Sequence, residues 1–183
     1  MVNQHSCGKP TIVDLEQVVK ELWLAPEREF HYIALALLDK EKKKLTVSHL
    51  PLLEFLITTK SWWDTVDHLA SGTAGGIGLV YPEESNQFFE KWVHSDHMWL
   101  NRTALLYQLK YKSATDVGTL FRYIKLHHSS NEFFIQKAIG WALREYSKTN
   151  PQAVRQFISE EPLAPLSKRE GSKHINRLNS QTI

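Results

Sequence analysis

The residues best suited to chemistry sit in one short string, Lys60-Ser-Trp-Trp-Asp-Thr-Val-Asp67. Trp63 and Asp67 stand four positions apart, so on a helix they share a face, one turn from each other. An indole face and a carboxylate both favour positive charge, and together they suit a cation. Asp64 has a plainer use. Ser61 and Asp64 have the spacing of a capping-box variant, with the serine at the head of a helix. Asp67 has no such local employment. By itself the string equally describes a half-buried tryptophan beside a solvated aspartate, so a second observation is needed to choose.

Two later strings supply it. Met98-Trp-Leu-Asn-Arg102-Thr-Ala-Leu-Leu-Tyr-Gln-Leu-Lys110-Tyr-Lys112 puts one arginine among apolar residues of an expected helix. Phe133-Phe-Ile-Gln-Lys137-Ala-Ile-Gly-Trp141-Ala-Leu-Arg144-Glu-Tyr146 places a tryptophan after a glycine in the equivalent element of the next unit. The strings SWWDTVD, NRTALLYQLKYK and QKAIGWALREYSKTNP, followed by Leu163-Ala-Pro-Leu-Ser-Lys-Arg-Glu-Gly-Ser-Lys-His174, resemble in order the motifs of the DNA alkylation repair family of HEAT-like helical DNA glycosylases. The resemblance runs from about Ile12 to Ile175.

The resemblance implies a role for each position it matches. Asp67 takes the catalytic aspartate, Trp63 and Trp141 the two cleft aromatics that contact the lesion nucleotide, and Arg102 the phosphate-binding arginine. Lys110, Lys112, Lys137 and Arg144 are expected around the cleft as further phosphate contacts, with Lys125 and the tail cations Lys168, Arg169, Lys173 and Arg177 as additional basic residues. All four matched positions are filled, which argues against the family's inactive, DNA-binding-only relatives. Family members carry another helical pair ahead of the matched region. Here residues 1–10 are expected to be unstructured, 11–178 to form one domain, and 179–183 to be a loose tail.

The activity so implied is that of a monofunctional glycosylase in base excision repair. It hydrolyses the N-glycosidic bond of N3- or N7-alkylated purines in double-stranded DNA and leaves an abasic site. An alkylated purine of this kind is cationic and departs neutral, so it needs little acid catalysis. Charge builds instead on the deoxyribose, in an oxocarbenium-like transition state, where one aspartate and two indoles would act. The family resemblance also implies that the lesion need not be flipped into a tight pocket, unlike the substrates of most glycosylases. No cofactor or metal is expected. The alternative is a catalytically weak or inactive HEAT-like protein that binds DNA structure. A protein-interaction scaffold is disfavoured by the paired aromatics, Asp67 and the basic C-terminal half.

These residues need helices to position them, and the pattern supplies helices throughout. Ile12, Leu15, Val19 and Leu22 recur at helical spacing, as do Phe30, Ile33, Leu37 and Leu38, then Leu53, Leu56 and Ile57. Asn150-Pro151 reads as a cap followed by proline at the first helical position. Ser129-x-x-Glu132 and Ser167-x-x-Glu170 read as capping boxes. No strand-like alternation appears, so the expected fold is all-α. First helices near Ile12, Ser48, Glu84, Thr115 and Pro151 recur at the interval of two-helix HEAT-like units. Ala34, Ala104 and Ala138 fall where the second helices must approach closely. Such pairs stack into a solenoid with a concave, DNA-binding face.

Charge agrees with a polyanionic partner. Residues 1–96 hold nine Lys and Arg against fourteen Asp and Glu, whereas 97–183 hold thirteen against six. Each phosphate met by a cation releases condensed counterions, which favours association with a basic half. No apolar run is long enough for a membrane span, no signal peptide is apparent, and the lone Cys7 excludes an internal disulfide. A monomeric cytoplasmic protein, associated with the nucleoid when on DNA, is expected. Gly72–Gly78 lacks the spacing of a nucleotide loop and reads as close helix packing. His94, Asp96 and His97, and the pair His127–His128, fall at helix ends without a metal-ligand partner set. Lys42–Lys44 reads as a solvated helix end.

Overall fold

The computed structural model describes residues 12–180, and every regular element in that span is helical. The helices are α1 (Ile12–Leu24), α2 (Glu29–Glu41), α3 (Leu50–Thr58), α4 (Trp63–His68), α5 (Gly75–Val80) and α6 (Pro82–Val93). After them come α7 (Met98–Leu106), α8 (Val117–His127), α9 (Phe133–Tyr146), α10 (Pro151–Glu160), α11 (Pro165–Gly171) and α12 (Lys173–Ser180). The expected unstructured N-terminus lies outside the described residues. So does the expected tail, apart from 179 and 180, which belong to α12.

Local sequence explains most boundaries. Asn150 accepts a hydrogen bond from the Ala153 amide at 3.0 Å, with Pro151 in the first helical position, as expected. Asp116 caps α8 in the same way, taking the Thr119 amide at 3.2 Å. The two expected serine boxes do not form. Helix α9 starts after Glu132 itself, while Ser129 lies in the preceding turn. Ser167 sits inside α11, whose start is set by Pro165, and its hydroxyl donates to the Gln136 carbonyl at 2.9 Å. A short polar pattern there lost to a contact made by packing.

The helices pack as stacked pairs. Within pairs, α1 meets α2 and α6 meets α7; between pairs, α2, α4, α7, α9 and α11 follow one another side by side. This second row carries the expected alanines, and Ala34, Ala104 and Ala138 are buried. Hydrogen bonds across the stack join residues about one repeat apart. The Trp23 indole donates to the Thr59 carbonyl 36 residues on, Tyr111 to the Gly75 carbonyl 36 residues back, and Ser167 to Gln136 31 residues back. A continuous core, including Leu38, Leu53, Leu56, Leu69, Trp92, Leu105, Leu106, Ile139 and Leu143, runs through every pair. Each such side chain contributes roughly 1.5–3 kcal/mol by leaving water. The architecture is the all-α helical repeat read from the spacing.

The glycine-rich segment serves packing, as the sequence reading expected. At Gly75 a methyl group would stand 2.3 Å from the Tyr107 carbonyl oxygen, so only glycine lets α5 pass so near the end of α7.

Candidate active site

The Trp63–Asp67 segment is set by the turn that precedes it. Lys60 takes a left-handed backbone with φ 49°, and its ammonium donates to the carbonyls of Leu24 and Ala25 at 2.9 and 2.7 Å. The turn is thereby tied to the end of α1. Ser61 does not cap α4: its hydroxyl donates back to the Ile57 carbonyl at 2.5 Å, and the residue ahead of the helix is Trp62. Asp64 is engaged by the first helical pair instead. It accepts from the Arg28 guanidinium, from the Tyr32 hydroxyl at 2.7 Å and from the Thr65 amide at 2.7 Å. Partial burial works against ionisation here, but these donors hold the Asp64 carboxyl below its usual range.

Beyond α4 the chain widens into a π-helical stretch, Leu69–Ala74, in which the Gly75 amide reaches back to the Ala70 carbonyl. Such widened turns concentrate at functional sites. This one begins two residues after Asp67, and Ser71 ties its hydroxyl to the Asp67 carbonyl at 3.0 Å.

Asp67 itself points at Arg102 on α7. The guanidinium Nε donates to Oδ1 and Nη2 to Oδ2, each at 2.7 Å, a bidentate pair. The third guanidinium nitrogen donates to the Phe134 carbonyl of α9. Asp67 is 8% exposed and Arg102 3%. Burial pushes the Asp67 carboxyl above its usual range, against the pull of Arg102. The fork geometry nevertheless describes a carboxylate, with both oxygens oriented by the guanidinium.

Asp67 and Arg102 line a cleft of about 350 Å³ together with Trp63, Trp141, Lys137 and Arg144. Six of the eight residues singled out from sequence therefore share one cavity. Trp63 is nearly half exposed on one wall. The structure places Lys110 and Lys112 elsewhere: Lys112 lines a separate hollow with Gln108, Thr115 and Tyr146, and Lys110 lines neither. Both follow the end of α7, in the turn that leads to α8. Arg102, expected as a phosphate contact, lines the cleft and also holds Asp67: three of its five N–H groups are committed inside the protein, two to Asp67 and one to the Phe134 carbonyl.

Sequence reasoning missed three residues on the cleft wall: Phe133, Phe134 and Glu170. Phe133 is among the most exposed apolar side chains, and Phe134 packs at 5.9 Å from Trp62 and 4.9 Å from Trp99. Glu170 is buried, within ion-pair range of Lys137, Arg144 and Lys173. The sequence read Glu170 only as the acid of the Ser167 capping box; its signal as a site residue was being the single acid among Lys168, Arg169, Lys173 and Arg177.

Two of the histidines singled out and set aside as metal ligands have local partners. His127 meets the Val93 carbonyl at 2.8 Å and His94 the Glu90 carbonyl at 2.8 Å. Among the described residues no helix is long and apolar enough to cross a membrane.

Comparison with known proteins agrees with the motifs. The family model for DNA alkylation repair enzymes matches residues 5–175. A solved structure from Enterococcus faecalis, described as a predicted DNA alkylation repair enzyme, superposes with a TM-score of 0.86 at 34% identity, covering 91% of this chain and 78% of that one. No curated protein matches significantly. The motif order, the stacked helical pairs and this match over nearly the whole chain lead to one assignment: the protein belongs to the DNA alkylation repair enzyme family.

Proposed function

We propose that the protein is a monofunctional DNA glycosylase that releases cationic N3- and N7-alkylated purines from double-stranded DNA. The observation that carries this reading is the Asp67 carboxylate, held at both oxygens by Arg102 inside a cleft walled by Trp63 and Trp141. An anion fixed in this way does not have to reorganise when positive charge grows in front of it, the condition for electrostatic stabilisation of a transition state.

The chemistry divides among few groups. The substrate base already carries the charge that makes it a leaving group. As the glycosidic bond breaks, positive charge develops on the deoxyribose, and Asp67 stabilises it while orienting the attacking water. Trp63 and Trp141 offer ring faces to the same cation, worth about 0.5–2 kcal/mol each. Arg102 keeps Asp67 ionised and aimed. Lys137 and Arg144, at the cleft, meet backbone phosphates and set the register of the duplex. The chemistry as written uses no metal or cofactor.

The test is release of base from duplex DNA carrying 7-methylguanine. Asp67→Asn is expected to slow release on the order of a hundred-fold while DNA binding persists. Binding without release by the unaltered protein would move the assignment to a non-catalytic DNA-binding relative.

A further inference from the structure

We propose that Glu170 is a positioning residue that gathers Lys137, Arg144 and Lys173 into a subsite for one backbone phosphodiester at the Asp67 cleft. The inference rests on the reading of the cleft as a site acting on DNA.

Helix α9 carries the framework. Lys137, Trp141 and Arg144 are spaced four and three residues apart, so they form one stripe with the indole between two cations. All three line the cleft. Helix α11 brings Glu170 against this stripe, and the approach depends on Gly140. A methyl group there would stand 2.5 Å from the Glu170 β-carbon and 3.1 Å from the Ser167 carbonyl oxygen.

The Glu170 carboxylate then has three cations around it: Lys173 at 2.7 Å, Lys137 at 3.3 Å and Arg144 at 3.6 Å. Its own side chain is 8% exposed, whereas those of Lys137, Arg144 and Lys173 are 38%, 34% and 45% exposed. A buried anion thus holds together three cations that would otherwise repel one another, while each keeps surface facing solvent. Three positive charges against one negative leave a net excess of two. The contacts of Lys137 and Arg144 are also longer than a tight charged hydrogen bond, which leaves their N–H groups available. A partner with one diffuse negative charge and several acceptor oxygens fits this cluster. The phosphodiester next to a sugar resting on Trp141 is such a partner.

Two expectations for Glu170→Gln have opposite signs. If Glu170 only neutralises charge, its loss makes the cleft more basic and tightens binding to any DNA. If it gathers the cations, its loss removes a particular phosphate contact. The experiment measures Kd for duplexes containing a stable abasic-site analogue, with a neutral methylphosphonate linkage placed in turn at each phosphate around it. In the unaltered protein one linkage is expected to weaken binding roughly tenfold, as for a lost hydrogen bond to a charged group. In Glu170→Gln that penalty is expected to fall below about threefold, without tighter overall binding. Lys137→Gln and Arg144→Gln, which alter only half-exposed side chains, are expected to erase the penalty at the same linkage. They keep the test decisive should Glu170→Gln unfold.

A penalty unchanged in Glu170→Gln overturns the proposal. So does erasure at different linkages by the two cation variants. Because only binding is read, the result is separable from the glycosylase reading: release of 7-methylguanine without this coupling removes the role of Glu170 alone, and coupling without release removes the catalysis alone.

Discussion

Arg102 and Asp67 lie 35 residues apart, about one helical pair, and meet through two parallel hydrogen bonds of 2.7 Å. The pair joins neighbouring units of the stack at the bottom of the cleft. Its inward geometry separates two roles for Arg102. A phosphate-binding arginine would contribute about 0.9 to the slope of log affinity against log salt. An arginine that only aims Asp67 would contribute nothing. Arg102→Gln is therefore expected to leave that slope unchanged and to lower base release at least tenfold. It should also cost about 3–5 kcal/mol of stability, because Asp67 would be left buried without its partner. Arg102→Lys cannot make the fork and should recover little of the rate. A slope reduced by about one unit would show that the arginine swings out to DNA.

The pH dependence of release follows from the burial of Asp67. A protonated aspartic acid cannot oppose a growing cation, so the rate falls as pH drops through the carboxyl's own pKa. Burial places that value above the ordinary 3.8, and the acid limb of the enzyme-catalysed rate, corrected for spontaneous loss of base, should lie correspondingly higher. Arg102 pulls the other way, so Arg102→Gln should move the limb further up. A limb at or below 3.8 would contradict the buried setting.

What the sequence disclosed follows from how local each feature is. Trp63 and Asp67 share one helix, so their alignment was readable from spacing. The repeat was readable because partners across the stack, such as Trp23 and Thr59, stand one unit apart. The direction of a cation was not readable. Lys112 and Lys137 look alike in the string, yet only Lys137 lies on the face of α9 turned to the cleft. Glu170 was hidden for a similar reason: its partners Lys137 and Arg144 lie on another helix, and only packing at Gly140 brings them together. The serine boxes failed because Ser61 and Ser167 found carbonyls of preceding or neighbouring helices.

Gly75→Ala tests the packing of α5 against α7. Alanine is the better helix former by about 1 kcal/mol, so an open site would be stabilised. Here the added methyl meets a backbone carbonyl at 2.3 Å, which cannot swing aside as a side-chain end can. The variant is expected to lose about 1–3 kcal/mol in denaturant unfolding. Gly76→Ala, where an added methyl meets nothing within 4 Å, is the matched control and should be neutral or stabilising.

Two histidines, His31 buried and His127 partly buried, contribute to the acid stability. His31 stacks on Trp23 with ring centres 4.4 Å apart, and His127 bonds to the Val93 carbonyl. Burial lowers both folded pKa values from 6.5. The unfolded chain therefore binds protons first as pH falls. The stability these two residues contribute is full above pH 6.5 and is lost below it, down through the depressed folded values. Unfolding free energies measured between about pH 7.5 and 5 should decline, with the decline shallower in His127→Gln. A flat profile over that window would mean that neither ring resists protonation.

The two cleft tryptophans should not be equivalent. Trp63 is 47% exposed on a helix of only six residues, whereas Trp141 is partly buried in the middle of α9. Losing either indole removes about 0.5–2 kcal/mol of attraction for the sugar cation, roughly twofold to thirtyfold in the rate of base release. Trp63→Ala takes that loss without disturbing the core and should leave the melting temperature within a few degrees. Trp141→Ala also strips contacts from α9, between Lys137 and Arg144, and should lower both rate and stability. Phenylalanine restores a ring face at either position and should recover part of the rate. Equal rates for phenylalanine and alanine at position 63 would show that the ring is not felt by the reacting sugar.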